Sequence, residues 1–131
     1  MKSALWGTIL SSLWLATFAM PASSADSLRG AWRGSGTVTF SNGSQERATC
    51  RANFKPSGQN AYDATASCSS QTGTVTQEAF VRGRGNRYRG TFYNPEFDAT
   101  GNIQLNLSGG SMVARLTSNH GTAVIRLSRA R

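Results

Sequence analysis

Lysine is nearly missing from this chain. Of its 14 basic residues only Lys2 and Lys55 are lysines, against 6 acidic residues and a single histidine, His120. Cysteine is limited to Cys50 and Cys68, with no Cys-x-x-Cys spacing. One histidine and two distant cysteines supply neither a zinc-ligand set nor a dithiol redox motif, so no metal and no cofactor is expected. Beyond residue 20 there is no long apolar run, and no apolar stripe recurs at helical spacing. Catalytic patterning is equally scarce. His120 sits in an Asn119-His120-Gly121 turn, no serine or cysteine is spaced to partner it, and Glu46, Asp63, Glu78, Glu96 and Asp98 form no recognisable acid–base pair. A nucleophile without its base is not an active site, so the expectation is a non-enzyme; a hydrolase using His120 ranks third among the readings.

The one long apolar stretch lies at the start. Met1-Lys2 is followed by the uncharged, largely apolar run Ala4–Met20, then Pro21 and the small residues Ala22-Ser23-Ser24-Ala25. This is the order of a secretory signal peptide. As a membrane anchor the run is short of the roughly 20 residues a span needs, and Gly7, Thr8, Ser11 and Ser12 dilute it. Residues 1–25 are therefore expected to be removed, leaving one domain, residues 26–131, periplasmic or secreted and not membrane-spanning after cleavage. Loss of Lys2 lowers the net charge from +8 to +7.

In an oxidising compartment two cysteines most simply form one disulfide. Residue pairs facing each other across a hairpin share a constant index sum. Setting Cys50 against Cys68 also sets Ala52 against Ala66 and Phe54 against Ala64, all of one parity. The bridge is thus expected on the inward face of a ribbon that turns over Pro56–Asn60. Period-two alternation continues nearly everywhere: Trp32, Gly36, Val38 and Phe40; Tyr88, Gly90 and Phe92; Ile103, Leu105 and Leu107; Met112, Ala114 and Leu116; Ala123, Ile125 and Leu127. Only the segment Thr74–Arg82 is ambiguous, because Val75, Ala79 and Val81 oppose Phe80. Asn42-Gly43, a loop at Ser69–Gly73, Gly83–Asn86, Asn94-Pro95, Gly109-Gly110 and Asn119–Gly121 mark the reversals, with Gly101 a candidate bend or bulge.

About eight strands joined by short turns predict an all-β fold: a single antiparallel up-and-down barrel, or a closely related sandwich. Its inward face is rich in small residues (Gly34, Gly36, Ala48, Ala52, Ala64, Ala66, Gly90, Ala99), which either pack tightly or leave room for a small ligand. A membrane barrel is excluded by outward faces of Arg, Thr, Ser and Asn, since each mid-depth arginine on lipid costs about 2–4 kcal/mol.

The arginines are the principal candidate for chemistry. Arg82, Arg84, Arg87 and Arg89 surround one turn, and Arg33, Arg47 and Arg51 share the outward parity of the first two strands. The guanidinium fork suits phosphate, sulfate and carboxylate. The expected partner is an anionic envelope component, lipopolysaccharide or acidic polysaccharide, or a protein, ahead of nucleic acid. The alternative is arginine serving only solubility, or reflecting a host genome that prefers arginine.

Gly30-Ala31-Trp32 at the head of the first strand resembles the opening of calycin-type barrels, which include lipocalins and small periplasmic metalloprotease inhibitors of bacteria. The wider pattern, Gly-x-Trp-x-Gly-x-Gly, then Cys50-Arg51 and a second cysteine, is similar to small exported proteins of alphaproteobacteria, a likeness that carries no activity with it. The lipocalin resemblance implies that Trp32 closes one end of the barrel and stacks on Arg129 of the last strand. Two functional expectations follow. The first is a non-catalytic binding protein acting through the outward arginines or the barrel mouth. The second is a protease inhibitor whose N-terminal arm, Asp26–Gly30, enters a protease cleft.

Overall fold

A computed structural model describes Gly7, residues 11–16 and residues 28–130. The proposed leader, residues 1–25, falls mostly outside these. Within it Leu13, Trp14 and Leu15 are almost fully exposed and add nothing to a core. Among the described residues no helix is long and apolar enough to cross a membrane.

The alternating pattern forms eight strands: β1 (Gly30–Phe40), β2 (Gln45–Gly58), β3 (Ala61–Ser70), β4 (Gly73–Arg84), β5 (Arg87–Asn94), β6 (Ala99–Ser108), β7 (Ser111–Ser118) and β8 (Gly121–Arg129). Each pairs antiparallel with the next, and β8 returns to β1, closing a barrel. Closure leaves no unpaired sheet edge, which settles barrel over sandwich. Cys50 and Cys68 are directly opposed, bridged, with Cα atoms 4.1 Å apart, and Ala52–Ala66 and Phe54–Ala64 follow in the same register.

Three boundaries differ from the sequence expectation. The β2–β3 turn is shorter than Pro56–Asn60. Strand β2 runs to Gly58 through a register shift between Pro56 and Gly58, and the reversal is made by Gln59 and Asn60, whose φ is 56°. A bulge absorbs the extra residue beside Pro56, which has no amide hydrogen for the ladder. The loop at Ser69–Gly73 and the turn at Gly83–Asn86 likewise shrink to two residues each, because the flanking residues remain paired. At Gly101 there is no bulge: the register runs through it unbroken. Glycine is needed there for clearance, since a Cβ would lie 2.2 Å from the Thr117 carbonyl oxygen and 2.5 Å from the Phe92 ring. In β4 the ambiguity resolves with Val75, Gln77, Ala79 and Val81 inward and Phe80 outward.

The two barrel ends are unlike. At one end Leu28, Trp32, Tyr62, Val81, Tyr88 and Met112 are each at most 3% exposed and fill the lumen. The Tyr62 and Tyr88 rings meet edge to face at 5.8 Å. Toward the other end the inward residues are small, and the lumen is open.

Candidate functional site

The lumen contains a cavity of about 700 Å³. Its wall is built from the inward parity of every strand. Ala48, Ala52, Ala64, Ala66, Ala79, Ala114 and Ala123 keep it wide; Phe54, Ile103, Leu105 and Leu127 form the floor against the filled end. Alternation puts every second side chain inward, so an alanine at such a site removes volume without breaking the ladder. The bridged Cys50 and Cys68 lie in this wall. The mouth is framed by the turns after β1, β3, β5 and β7, with Phe40 and Phe97 at its rim, 38% and 62% exposed.

Polar groups in the wall cluster near the mouth: Glu46, Ser70, Gln77, Asn94, Glu96, Ser118 and His120. Some have a structural task. The Asn94 Oδ1 accepts from the Glu96 and Phe97 amides at 3.0 and 3.4 Å, which forms the β5–β6 turn. Glu46 is half-buried, and its Oε2 accepts from the Thr72 hydroxyl at 3.1 Å. Among the described residues no lysine or arginine lines the cavity.

The filled end is held by a small network. The Trp32 indole N–H donates to the Leu28 carbonyl at 2.9 Å. The Arg129 guanidinium lies 4.6 Å from the centre of the Trp32 ring, and its Nη1 donates to the Arg29 carbonyl at 2.7 Å. Trp32 and Arg129 are also direct partners between β1 and β8. These contacts bear on the arm that the inhibitor reading invokes. Asp26 and Ser27 lie outside the described residues, but Leu28 is fully buried and both Leu28 and Arg29 are tied by their carbonyls. That part of the arm is docked on the barrel and not free to enter a cleft.

The seven arginines do not share one face. Arg82 sits opposite Arg89 and Arg84 opposite Arg87 on the β4–β5 hairpin, beside the filled end. Arg33 sits opposite Arg51, and Arg47 opposite Thr37, on β1–β2, separated from the first group by β3. All seven are exposed. Among the described residues, the four on β4–β5 have no carboxylate partner; Arg82 instead lies 5.6 Å from the exposed Phe80 ring. His120 lies at the mouth, and among the described residues no group of three His, Cys, Asp or Glu side chains could hold a metal.

Sequence reasoning missed Glu46, Phe40 and Phe97 as cavity residues. The signal for Glu46 was present, because it shares the parity of Ala48 and Cys50.

No family model matches the chain, and no curated protein does. Solved structures share its fold. The redesigned β-barrel mFAP1, described as bound to DFHBI, superposes with a TM-score of 0.68 at 17% identity, covering 81% of this chain and 98% of that one. A de novo designed fluorescence-activating β-barrel gives 0.64 at 17% identity, covering 82% and 97%. Rv2717c from M. tuberculosis gives 0.55 at 11% identity, covering 79% and 93%. The chain is thus an eight-stranded closed up-and-down barrel, similar in fold to these barrels.

Proposed function

We propose that this is an exported, non-catalytic binding protein that takes a small apolar molecule into the barrel through its open end. The cavity carries the reading: about 700 Å³, walled mainly by alanine and larger apolar side chains, closed at one end and open at the other. That is the size and character of a small-molecule site. The designed barrels of similar fold, one described as fluorescence-activating and one as bound to DFHBI, support the capacity of such a lumen to hold a ligand. The leader-like N-terminus and the bridge support export to the periplasm or beyond.

Titration with the neutral fluorophore N-phenyl-1-naphthylamine tests it. Saturable enhancement is expected for the wild type and its loss for Ala66→Trp, which places an indole in the cavity, provided the variant melts cooperatively. Enhancement that Ala66→Trp leaves untouched, or no enhancement at all, overturns the reading.

A second reading has its own observation. Like charges directly opposite on neighbouring strands repel, yet Arg82–Arg89 and Arg84–Arg87 are opposed without neutralising carboxylates. A phosphorylated or acidic glycan of the envelope would relieve that repulsion. Heparin-column retention that does not change when Arg84, Arg87 and Arg89 become Ser counts against it.

A further inference from the structure

The chain is strongly basic, yet its cavity is not. Of the described residues that line it, only Glu46 and Glu96 carry a full charge, and both are negative. The arginines point outward along the wall or gather at the filled end: Arg129 ties down the chain entry through the Arg29 carbonyl, and Arg82, Arg84, Arg87 and Arg89 flank it. The charge is therefore divided between the outside and the lumen. An incoming ligand meets carboxylates, not guanidiniums.

Glu46 is the more telling of the two. It faces inward from β2, directly opposite Val38 on β1, with the rim residue Phe40 as its diagonal neighbour. A diagonal pair on one sheet face is within reach of a common group. Half-buried at the mouth, the Glu46 carboxylate sets a negative charge on the path of a ligand, which a cation would answer. The Thr72 hydroxyl answers only part of it, and no cation among the described residues lies within ion-pair distance. Phe40 and Phe97 add aromatic faces at the same rim, and such faces attract cations. Below them the wall turns to alanine, isoleucine and leucine.

Resting on the reading of the cavity as a ligand site, we propose that its ligand is an apolar molecule with a cationic head, an ammonium or quaternary ammonium. The tail lies toward Ile103, Leu105 and Ile125, and the head stays at the mouth between the Glu46 carboxylate and the Phe40 ring. Fatty-acid-like anions, which the net charge of the protein would otherwise attract, are disfavoured inside.

Isothermal titration with three probes of equal tail length, each below its micellar concentration, tests this. The probes are dodecyltrimethylammonium, dodecanol and dodecanoate, and each is repeated on Ala66→Trp to subtract binding to the outer surface. The cavity component is expected to follow the order cation, alcohol, anion. Glu46→Gln is expected to weaken the cation about fivefold while leaving the alcohol unchanged, the scale of one partly screened ion pair. If dodecanoate binds the cavity as tightly as the cation, the cationic-head inference is wrong and the ligand-site reading stands. If no probe shows a component that Ala66→Trp removes, the ligand-site reading fails and the inference goes with it. Because the probe series is read on the wild type, the answer does not depend on how well Glu46→Gln folds.

Discussion

Breaking the Cys50–Cys68 bridge should lower stability by about 3 kcal/mol. The bridge closes a loop of sequence separation 18. By the chain-entropy relation, constraining a loop of that length in the unfolded chain contributes about 3 kcal/mol at 25 °C. For a domain near 100 residues each kcal/mol moves the midpoint by about 4–8 °C, so the melting temperature should fall by about 12–24 °C. Wild-type protein reduced and kept under a phosphine is the cleanest comparison. It keeps both sulfur atoms in the wall and removes only the bond, whereas Cys50→Ala also deletes a side chain that is 3% exposed.

Urea unfolding of the oxidised and reduced forms is the assay. Two changes are expected together: a lower midpoint, and a steeper denaturant dependence because the unfolded chain expands once released. A loss below about 1 kcal/mol with an unchanged slope would refute the argument. It would mean that the closed ladder, with Cys50 and Cys68 already held opposite each other, limits the ribbon by itself. Two titratable thiols in exported protein would remove the premise.

Other expectations concern single side chains. Arg129→Ala removes the stack on Trp32 and the bond to the Arg29 carbonyl, and should cost about 1–2 kcal/mol. In protein expressed without residues 1–25 Trp32 is the sole tryptophan, so its emission should shift to the red in the same variant. Gly90→Ala would put a Cβ 1.7 Å from the Phe80 carbonyl oxygen; a destabilisation of about 3 kcal/mol or more is expected by urea titration. The Tyr93 phenol is shifted above its usual value of 10.0, first by lost hydration, then by the Asp98 carboxylate that accepts its hydroxyl hydrogen, then by Glu78. A raised folded-state value means a stabilising contribution that is present below the unfolded value and lost as pH rises through the folded one. Ultraviolet titration should show the Tyr93 phenol ionising above its usual value, and Asp98→Asn should bring it down.

The sequence carried the register well and the mouth poorly, for different physical reasons. Register is a matter of parity, and parity survives in one dimension. Cys50, Ala52 and Phe54 can face Cys68, Ala66 and Ala64 in only one way if all are inward, which is the pairing found. The exception, β4, failed as a one-dimensional pattern because Gln77 sits in the inward series and Phe80 in the outward one. Gln77 is tolerated inward because it lines a cavity near polar neighbours, a circumstance visible only after closure. The arginines illustrate the same limit. Their outward parity could be read from the alternation, but their division into two groups depends on β3 lying between β2 and β4. The cavity itself is a sum of side-chain volumes at equal height on eight strands, and heights follow from the stagger of the whole barrel.

The wide lumen is the feature least explained by stability. A dry void of about 700 Å³ would cost about 17 kcal/mol at the usual penalty per unit volume, above the net stability of an ordinary domain of about 5–15 kcal/mol. The open mouth avoids most of that cost by admitting water, but it does not make the alanines favourable. Filled side chains at the Trp32 end show that this backbone accepts a packed interior. The alanine-lined half therefore reads as volume kept for an occupant. Ala123→Leu tests the point, because Ala123 is half-buried, lines the cavity and faces space. If the volume serves binding, the leucine should raise stability by about 1 kcal/mol in urea titration, as cavity-filling changes commonly do, and weaken probe binding in the same protein. Destabilisation by a comparable amount would show that the alanine is fitted to its neighbours, and that the small residues of this wall serve barrel packing and not a ligand.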